Sequence, residues 1–498
     1  MTAKTLFLGF DGADHAYIDA MMADGELPVL SRLKEQSRVF NFENDPAMGA
    51  AQFWNSASIG AGPGYHGHHF YMQFKPDTYD VVPNHESSIP DITPFWNTLD
   101  EEGYAIGVVD WHRLMPKPMK NGFILDNWLG HDPLTGTVYL PETVKDETRR
   151  HFTGDTAGGG FGAFPRDTAD EVRAYFDAIL DRIDTKTAFC IEKLEQKDWD
   201  LFIACFSEAH DVGHYYWHLD DPKHERYDPA LAEKTKEPLR DCYRRMDAAV
   251  GRLLDAAGPD ARVFTYGGPG MEMLVSANEA MDEMMRRIDL GYGAPKTATD
   301  TARQGYRSLV PPQLRWKLAP LVRSIRRRFS KHHHASRRFF SVPHNDNSGA
   351  VRINVKGREK HGLINLGTEY DEVVREISEA VMTFKNPDTG APIVKRVVCI
   401  PQEFDGPHLN VLPDLFIEWN RDGAPRNFKK IVSEKYGEIE ITDVTRTGDH
   451  NASGFYWTPA SYGGAPVTLP EHVTAPLVAA VKAGRARARR SAEPLSVS

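Results

Sequence analysis

The stretch FSEAHDVGHYYWHLDD, residues 206–221, sets His210 and His214 four residues apart, with Glu208 and Asp211 close by and His218 following. On a helix, residues at i and i+4 project from one face, so the two imidazoles can share one cation. Glu208 and Asp211 can ligate, orient the imidazoles from behind, or act as bases. A plainer alternative is two independent, hydrogen-bonded histidines at a helix start. The position directly after the apolar run LFIACF (201–206) weakens that alternative. Far along the chain, TRTGDHNASGFYW (445–457) presents His450 on a polar turn, and GFDGAD (9–14) sets Asp11 at the end of an apolar run, before a glycine. Asp14 can serve in its place or cap the next helix. The segment WNSASIGAGPGYHGHHFYMQFKPDTY (54–79) adds small residues, the hydroxyls of Ser56 and Ser58, and His66, His68 and His69. It reads either as close backbone approach to a ligand with a possible nucleophile, or as a tight strand–turn connection.

Elements able to position these groups recur along the chain. TLFLGF (5–10), YAIGVVDW (104–111), LFIACF (201–206), ARVFTYGG (261–268), RVVCI (396–400) and DLFIEW (414–419) are short apolar runs, and 236–257 is a good amphipathic helix. Strands alternating with helices predict an α/β layered fold with a largely parallel sheet. Ligands bind at the carboxyl ends of such strands, which is where Asp11, His210 and Gly267–Met271 fall. Residues 112–165, rich in Gly, Pro and Asp, read as a loop-rich insertion. Residues 272–345 read as a basic helical insertion or cap, with 11 Lys or Arg among the 36 residues 303–338. There Leu314, Leu318, Leu321, Ile325 and Phe329 form one stripe, with Arg323, Arg326, Arg327 and Arg328 off it. That helix either packs on the core, closes over an anionic substrate, or meets an anionic surface or partner. The basic tail 481–498 reads as disordered.

Composition bounds the function. A formal net charge of −11 argues against general nucleic-acid binding, which needs a basic face. No signal peptide and no transmembrane segment are expected, and the four scattered cysteines read as reduced core residues of a cytoplasmic protein. The sequence does not disclose the oligomeric state.

Taken together, GFDGAD, W-N-S-A-S-I-G-A-G-P-G-Y-H-G (54–67), FSEAHDVGHYYW, NSGAVRINVKGREKHG (347–362), VLPDLFIEW (411–419) and RTGDHNASGF resemble the alkaline phosphatase superfamily, in its type I phosphodiesterase/nucleotide pyrophosphatase branch. The resemblance implies one three-layer α/β/α domain over 1–480 with a mixed, mostly parallel central sheet, and usually two metals for phosphoryl or sulfuryl transfer. Three departures stand out. The family's nucleophile falls on Ala50, the first member of its D-x-x-x-H pair falls on His210, and its later Asp-His pair falls on Gly268 and Pro269. The resemblance therefore implies a single divalent metal, zinc above others, on His210, His214 and His450, with Asp11 the survivor of a second site. The expected function is a metal-dependent hydrolase of a phosphate ester, phosphodiester or related small anionic substrate. Glu208 or Asp211 would be the base, and His66 and Arg358 would neutralise substrate charge. The alternative is a degenerate member that binds metal and an anionic ligand without turnover.

Overall fold

A computed structural model describes residues 5–45, 50–83, 92–111, 116–129, 136–152, 168–293, 310, 334–421, 429–441 and 446–492. The strands Thr5–Phe10 and Leu201–Phe206 are buried at every residue, as uninterrupted apolar runs in a doubly covered parallel sheet should be. Among the described residues the central sheet has eight strands. Their order is Ser37–Glu43, Ser453–Pro459, Arg262–Gly267, Thr5–Phe10, Leu201–Phe206, Ile106–Val109, Gly122–Asp126 and Val138–Leu140. The five from Arg262–Gly267 to Gly122–Asp126 are parallel, and the outer three add antiparallel edges.

Side-chain alternation along each strand divides the core into two layers. Leu6, Leu8, Phe10, Phe202, Ala204 and Phe206 face the helices Ala169–Gln196 and Pro238–Ala257. Phe7, Leu201, Ile203 and Cys205 face the helices Ala50–Ile59, Phe95–Glu101 and Thr474–Ala492. The three-layer α/β/α architecture is therefore present.

A second sheet is not foreseen by the sequence reading. Phe339–Val342, Ser348–Ile353, Leu415–Trp419 and Val394–Cys399 pair antiparallel in that order, with the helices Met281–Leu290 and Thr368–Val381 packed on one face. RVVCI and DLFIEW thus leave the parallel sheet. A short apolar run does not reveal its partner's direction. Within 112–165, Gly122–Asp126 and Val138–Leu140 are sheet strands and not loop, because the buried Phe123, Ile124 and Leu125 outweigh their Gly- and Asp-rich flanks. The stretch 272–345 likewise contributes Phe339–Val342 to the second sheet, while its stripe from Leu314 to Phe329 lies outside the described residues. The terminal helix runs past the expected order limit at 481 to Ala492, anchored by buried Leu477 and Val481. No helix among the described residues is long and apolar enough to cross a membrane.

Candidate metal centre

His210 and His214 lie on the helix Glu208–Tyr216, which follows the buried strand Leu201–Phe206 after one residue. Glu208 and Asp211 occupy its first turn and His214 its last, each complementing the helix dipole. His450 ends the short strand Gly448–His450, antiparallel to Met271–Met273. Two glycines press this hairpin onto the helix. A Cβ on Gly448 would meet the Gly213 carbonyl oxygen at 2.3 Å, and one on Gly213 would meet the Met271 side chain at 2.8 Å. A third glycine, Gly12, has φ +69°, and a Cβ there would stand 2.4 Å from the His210 Cα. The turn after the first strand thus packs directly against the helix backbone.

The result is a convergence of three imidazoles, each offering one nitrogen, with all three nitrogens within 4.8 Å of one another. His210 Nε2 and His214 Nε2 are 3.1 Å apart. Tetrahedral zinc with nitrogens at 2.0–2.1 Å separates its ligands by about 3.3 Å, so the pair is at ligand spacing. His214 Nδ1–H donates to the Gly448 carbonyl at 2.9 Å, which leaves Nε2 as the lone-pair atom. His450 Nδ1 does the same toward the carbonyls of Pro269 and Gly270, both at 3.3 Å. The donor set fits a borderline divalent cation on three neutral imidazoles.

Asp11 is buried beside this set but is not one of its converging ligands. Its Oδ1 accepts from Trp54 Nε1 at 3.0 Å, and its backbone N–H donates to the Phe206 carbonyl. Gly268 ties back to the Phe10 carbonyl at 3.0 Å, and Pro269 supplies a carbonyl to His450. The segment that lacks the family's second-site side chains therefore still holds a histidine of the first. Asp14 caps the helix His15–Ala23 through Tyr17 N–H and accepts from Asn451 Nδ2 and Ser453 Oγ, tying that turn to the His450 loop.

Four expected site residues have other employment. Glu208 and Asp211 take part in a buried ion network. Glu208 accepts from Lys186 at 3.1 Å and Asp211 from Arg182 at 2.9 Å, while Asp110 pairs with Lys186 at 2.9 Å. Burial pushes the Asp211 carboxyl up to about 7 against the pull of Arg182. Burial works to lower the Lys186 ammonium pKa, yet Asp110 and Glu208 hold it above the ordinary value. His66 is fully buried, and its pKa is well below that of a free imidazole, first through burial and then through His68 and His408. Its Nδ1 accepts from the His68 backbone N–H, so its Nε2–H donates to Ser56 Oγ at 3.1 Å. That tautomer cannot activate Ser56 as a base. Ser58 donates to the Trp54 carbonyl and accepts from Trp111 Nε1. Arg358 belongs to the second sheet's region, where it grips Asp414 through both terminal nitrogens at 2.7 and 2.8 Å.

Sequence reasoning missed Arg182, Lys186 and Asp449. Arg182 and Lys186 were detectable. They sit on the apolar stripe of a long helix, among Ile179, Ile183, Phe189 and Cys190, where a cation needs a buried partner. Asp449 was hidden by its neighbour His450. It is fully buried, its Oδ1 3.6 Å from His214 Nδ1.

A mixed, mostly parallel sheet with a histidine cluster and a carboxylate at its carboxyl edge marks the alkaline phosphatase-like class of fold. Within that class, the chain belongs to the type I phosphodiesterase/nucleotide pyrophosphatase family, which matches residues 5–425. The family's activity is phosphoester hydrolysis. No curated protein matches the chain. Among solved structures, phosphonoacetate hydrolase from Sinorhizobium meliloti in complex with phosphonoformate is similar, with TM-score 0.51 and 12% identity over 97% of this chain and 96% of that one. Murine ectonucleotide pyrophosphatase/phosphodiesterase 5, an inactive variant in complex with AMP, has TM-score 0.50 and 12% identity over 96% and 95%. At these identities the likeness speaks for the fold.

Proposed function

We propose that the protein is a mononuclear metal-dependent hydrolase of a small phosphorus-based anion, a phosphate ester, phosphodiester or related substrate. The observation that carries this reading is the convergence of His210, His214 and His450 at ligand spacing, with His214 and His450 held in the ligating tautomer. His210, His214 and His450 would hold a divalent cation, zinc above others, which would supply Lewis acidity and lower the pKa of a bound water to about 7. The chain's own part is positional. The Gly448 and Pro269–Gly270 carbonyls orient two imidazoles, and Asp11, anchored by Trp54, steers the attacking water. The bound phosphonoformate and AMP of the similar structures favour a small anionic substrate. Four buried free cysteines, Cys190, Cys205, Cys242 and Cys399, suit a reducing, cytoplasmic setting.

A second reading, metal and anion binding without turnover, is favoured by one specific observation: Ala50, Gly268 and Pro269 stand where the resemblance places a nucleophile and two ligands. Metal analysis of purified protein, with hydrolysis assays on aryl phosphate mono- and diesters, a phosphonate ester and a sulfate ester, separates the two. About one equivalent of metal, lost with activity in His214→Ala, is the expected result. Full metal occupancy without turnover on any of these substrates overturns the hydrolase, and two equivalents overturn the single site.

A further inference from the structure

Three neutral imidazoles bring no charge to a dication, so a buried site of this kind leaves both positive charges to be offset from outside the ligand set. Two buried carboxylates stand where they can do so. Asp211 Oδ1 is 3.6 Å from His210 Nδ1, and Asp449 Oδ1 is 3.6 Å from His214 Nδ1. Both residues are at most 2% exposed. The third histidine, His450, turns its Nδ1 toward the Pro269 and Gly270 carbonyls.

Each carboxylate has cationic neighbours. Asp211 Oδ2 receives Arg182, on the long helix behind the site. The network of Asp110, Arg182, Lys186, Glu208 and Asp211 sets three carboxylates against two cations, a net charge of −1 facing the histidine helix. Asp449 is flanked by Arg421, which donates to the His450 carbonyl, and by Arg446, which pairs with Asp346 at 3.3 Å. Arg182 thus fixes Asp211 by a hydrogen bond, whereas Arg421 and Arg446 act on Asp449 through charge.

We propose that Asp211 and Asp449 are positioning residues of the three-histidine centre. Asp211 beside His210 and Asp449 beside His214 supply the negative charge that the ligands lack, while the Gly448 carbonyl turns the His214 Nε2 inward. This inference rests on the metal reading above. Neither residue touches substrate. Each acts through a histidine.

The test uses the full-length protein stripped of metal. Zinc affinity is measured by competition with a chromophoric chelator at one fixed pH, and cobalt(II) substitution reports coordination geometry by its visible absorption. Asp211→Asn and Asp449→Asn keep shape and remove charge, and each is expected to weaken zinc binding by about 10–100-fold. Asp414→Asn, a buried carboxylate of the second sheet, is expected to leave zinc affinity unchanged. Wild-type affinity in both site variants overturns the proposal. So does an equal loss in Asp414→Asn, which would mark a general effect of loosened packing. Should Asp211→Asn fold poorly, His210→Asp in the Asp449→Asn background decides the matter. Returning a carboxylate to the ligand set is expected to restore zinc affinity to within about 10-fold of wild type, and failure to restore it counts against the charge argument. A wild-type protein that binds no zinc or cobalt instead overturns the metal reading itself.

Discussion

Two buried ion networks built from the same residue types lie under different parts of the molecule. Behind the histidines, Asp110, Arg182, Lys186, Glu208 and Asp211 carry a net −1. Under the second sheet, Arg352, Arg358, Glu359 and Asp414 balance to neutrality. Asp414 accepts both terminal nitrogens of Arg358, the Ile353 N–H and the Tyr370 hydroxyl. Burial works to raise its carboxyl, but the Arg358 guanidinium holds it below the ordinary carboxylate range. Asp211 has the same burial and a single arginine hydrogen bond, and its carboxyl is pushed up instead. The saturated network ties a strand to a turn. The other, counted with every carboxylate ionised, has one more anion than cations beside three neutral imidazoles.

Removing one partner from either network should be among the costliest substitutions in the protein, because it leaves a buried charge uncompensated. Both Asp414→Ala and Arg182→Ala are expected to lose about 3–5 kcal/mol in chemical denaturation. They should differ in zinc affinity per folded molecule, which is expected to hold in Asp414→Ala and to fall in Arg182→Ala. Equal affinities in the two would erase the functional distinction between the networks.

Gly12 sharpens the same contrast from the backbone side. It touches no ligand atom, yet its φ of +69° and its contact with the His210 Cα leave no room for a methyl group. Gly12→Ala is expected to cost about 3 kcal/mol through strain and displacement, and to weaken metal binding by shifting the helix. A variant at Gly25, which has φ +78° but open space around it, carries the strain without the displacement and should bind metal normally.

These networks also mark what the sequence could and could not disclose. The parallel core was legible because TLFLGF and LFIACF are too apolar to lie anywhere but inside. His210, His214 and His450 were legible because i, i+4 spacing and a strand-end position constrain direction. The roles of Glu208, Asp211, His66 and Arg358 were not. A charged side chain next to a functional residue looks the same in sequence whether it faces a pocket or an internal partner. Lys186 lies 22 residues before Glu208, and Asp414 lies 56 residues after Arg358. Strand direction failed for a related reason, since RVVCI pairs with DLFIEW, and DLFIEW on its other side with Ser348–Ile353, far back in the chain.

Ser56 and His66 offer a smaller test of that distinction. Both are buried, and the imidazole donates to the hydroxyl, so Ser56→Ala leaves one donor unmet. The expected loss is about 2 kcal/mol of stability, with kcat on an aryl phosphodiester unchanged. A large fall in kcat at unchanged stability would instead return Ser56 to the reaction.

The smallest expected effect lies on the helix Met281–Leu290, beside the neutral network. Burial works to raise the Glu283 carboxyl, but hydrogen bonds from Arg286 and Arg287 hold it down at about 2, against an ordinary 4.5. A carboxyl depressed in the folded state stabilises the fold above its unfolded pKa, and that contribution is lost as pH falls from about 4.5 toward 2. Because the group is partly solvated, screening reduces the contribution to about 1 kcal/mol. Glu283→Gln should therefore lower stability by that amount at pH 7 and by nothing at pH 2, as read by denaturant midpoints across the range. Zinc affinity should be the same in both proteins at pH 7, because Glu283 pairs with arginines of its own helix and with no group behind the histidines. A loss of affinity in Glu283→Gln would mean that the two sheets are coupled, and that the neutral network is not merely structural.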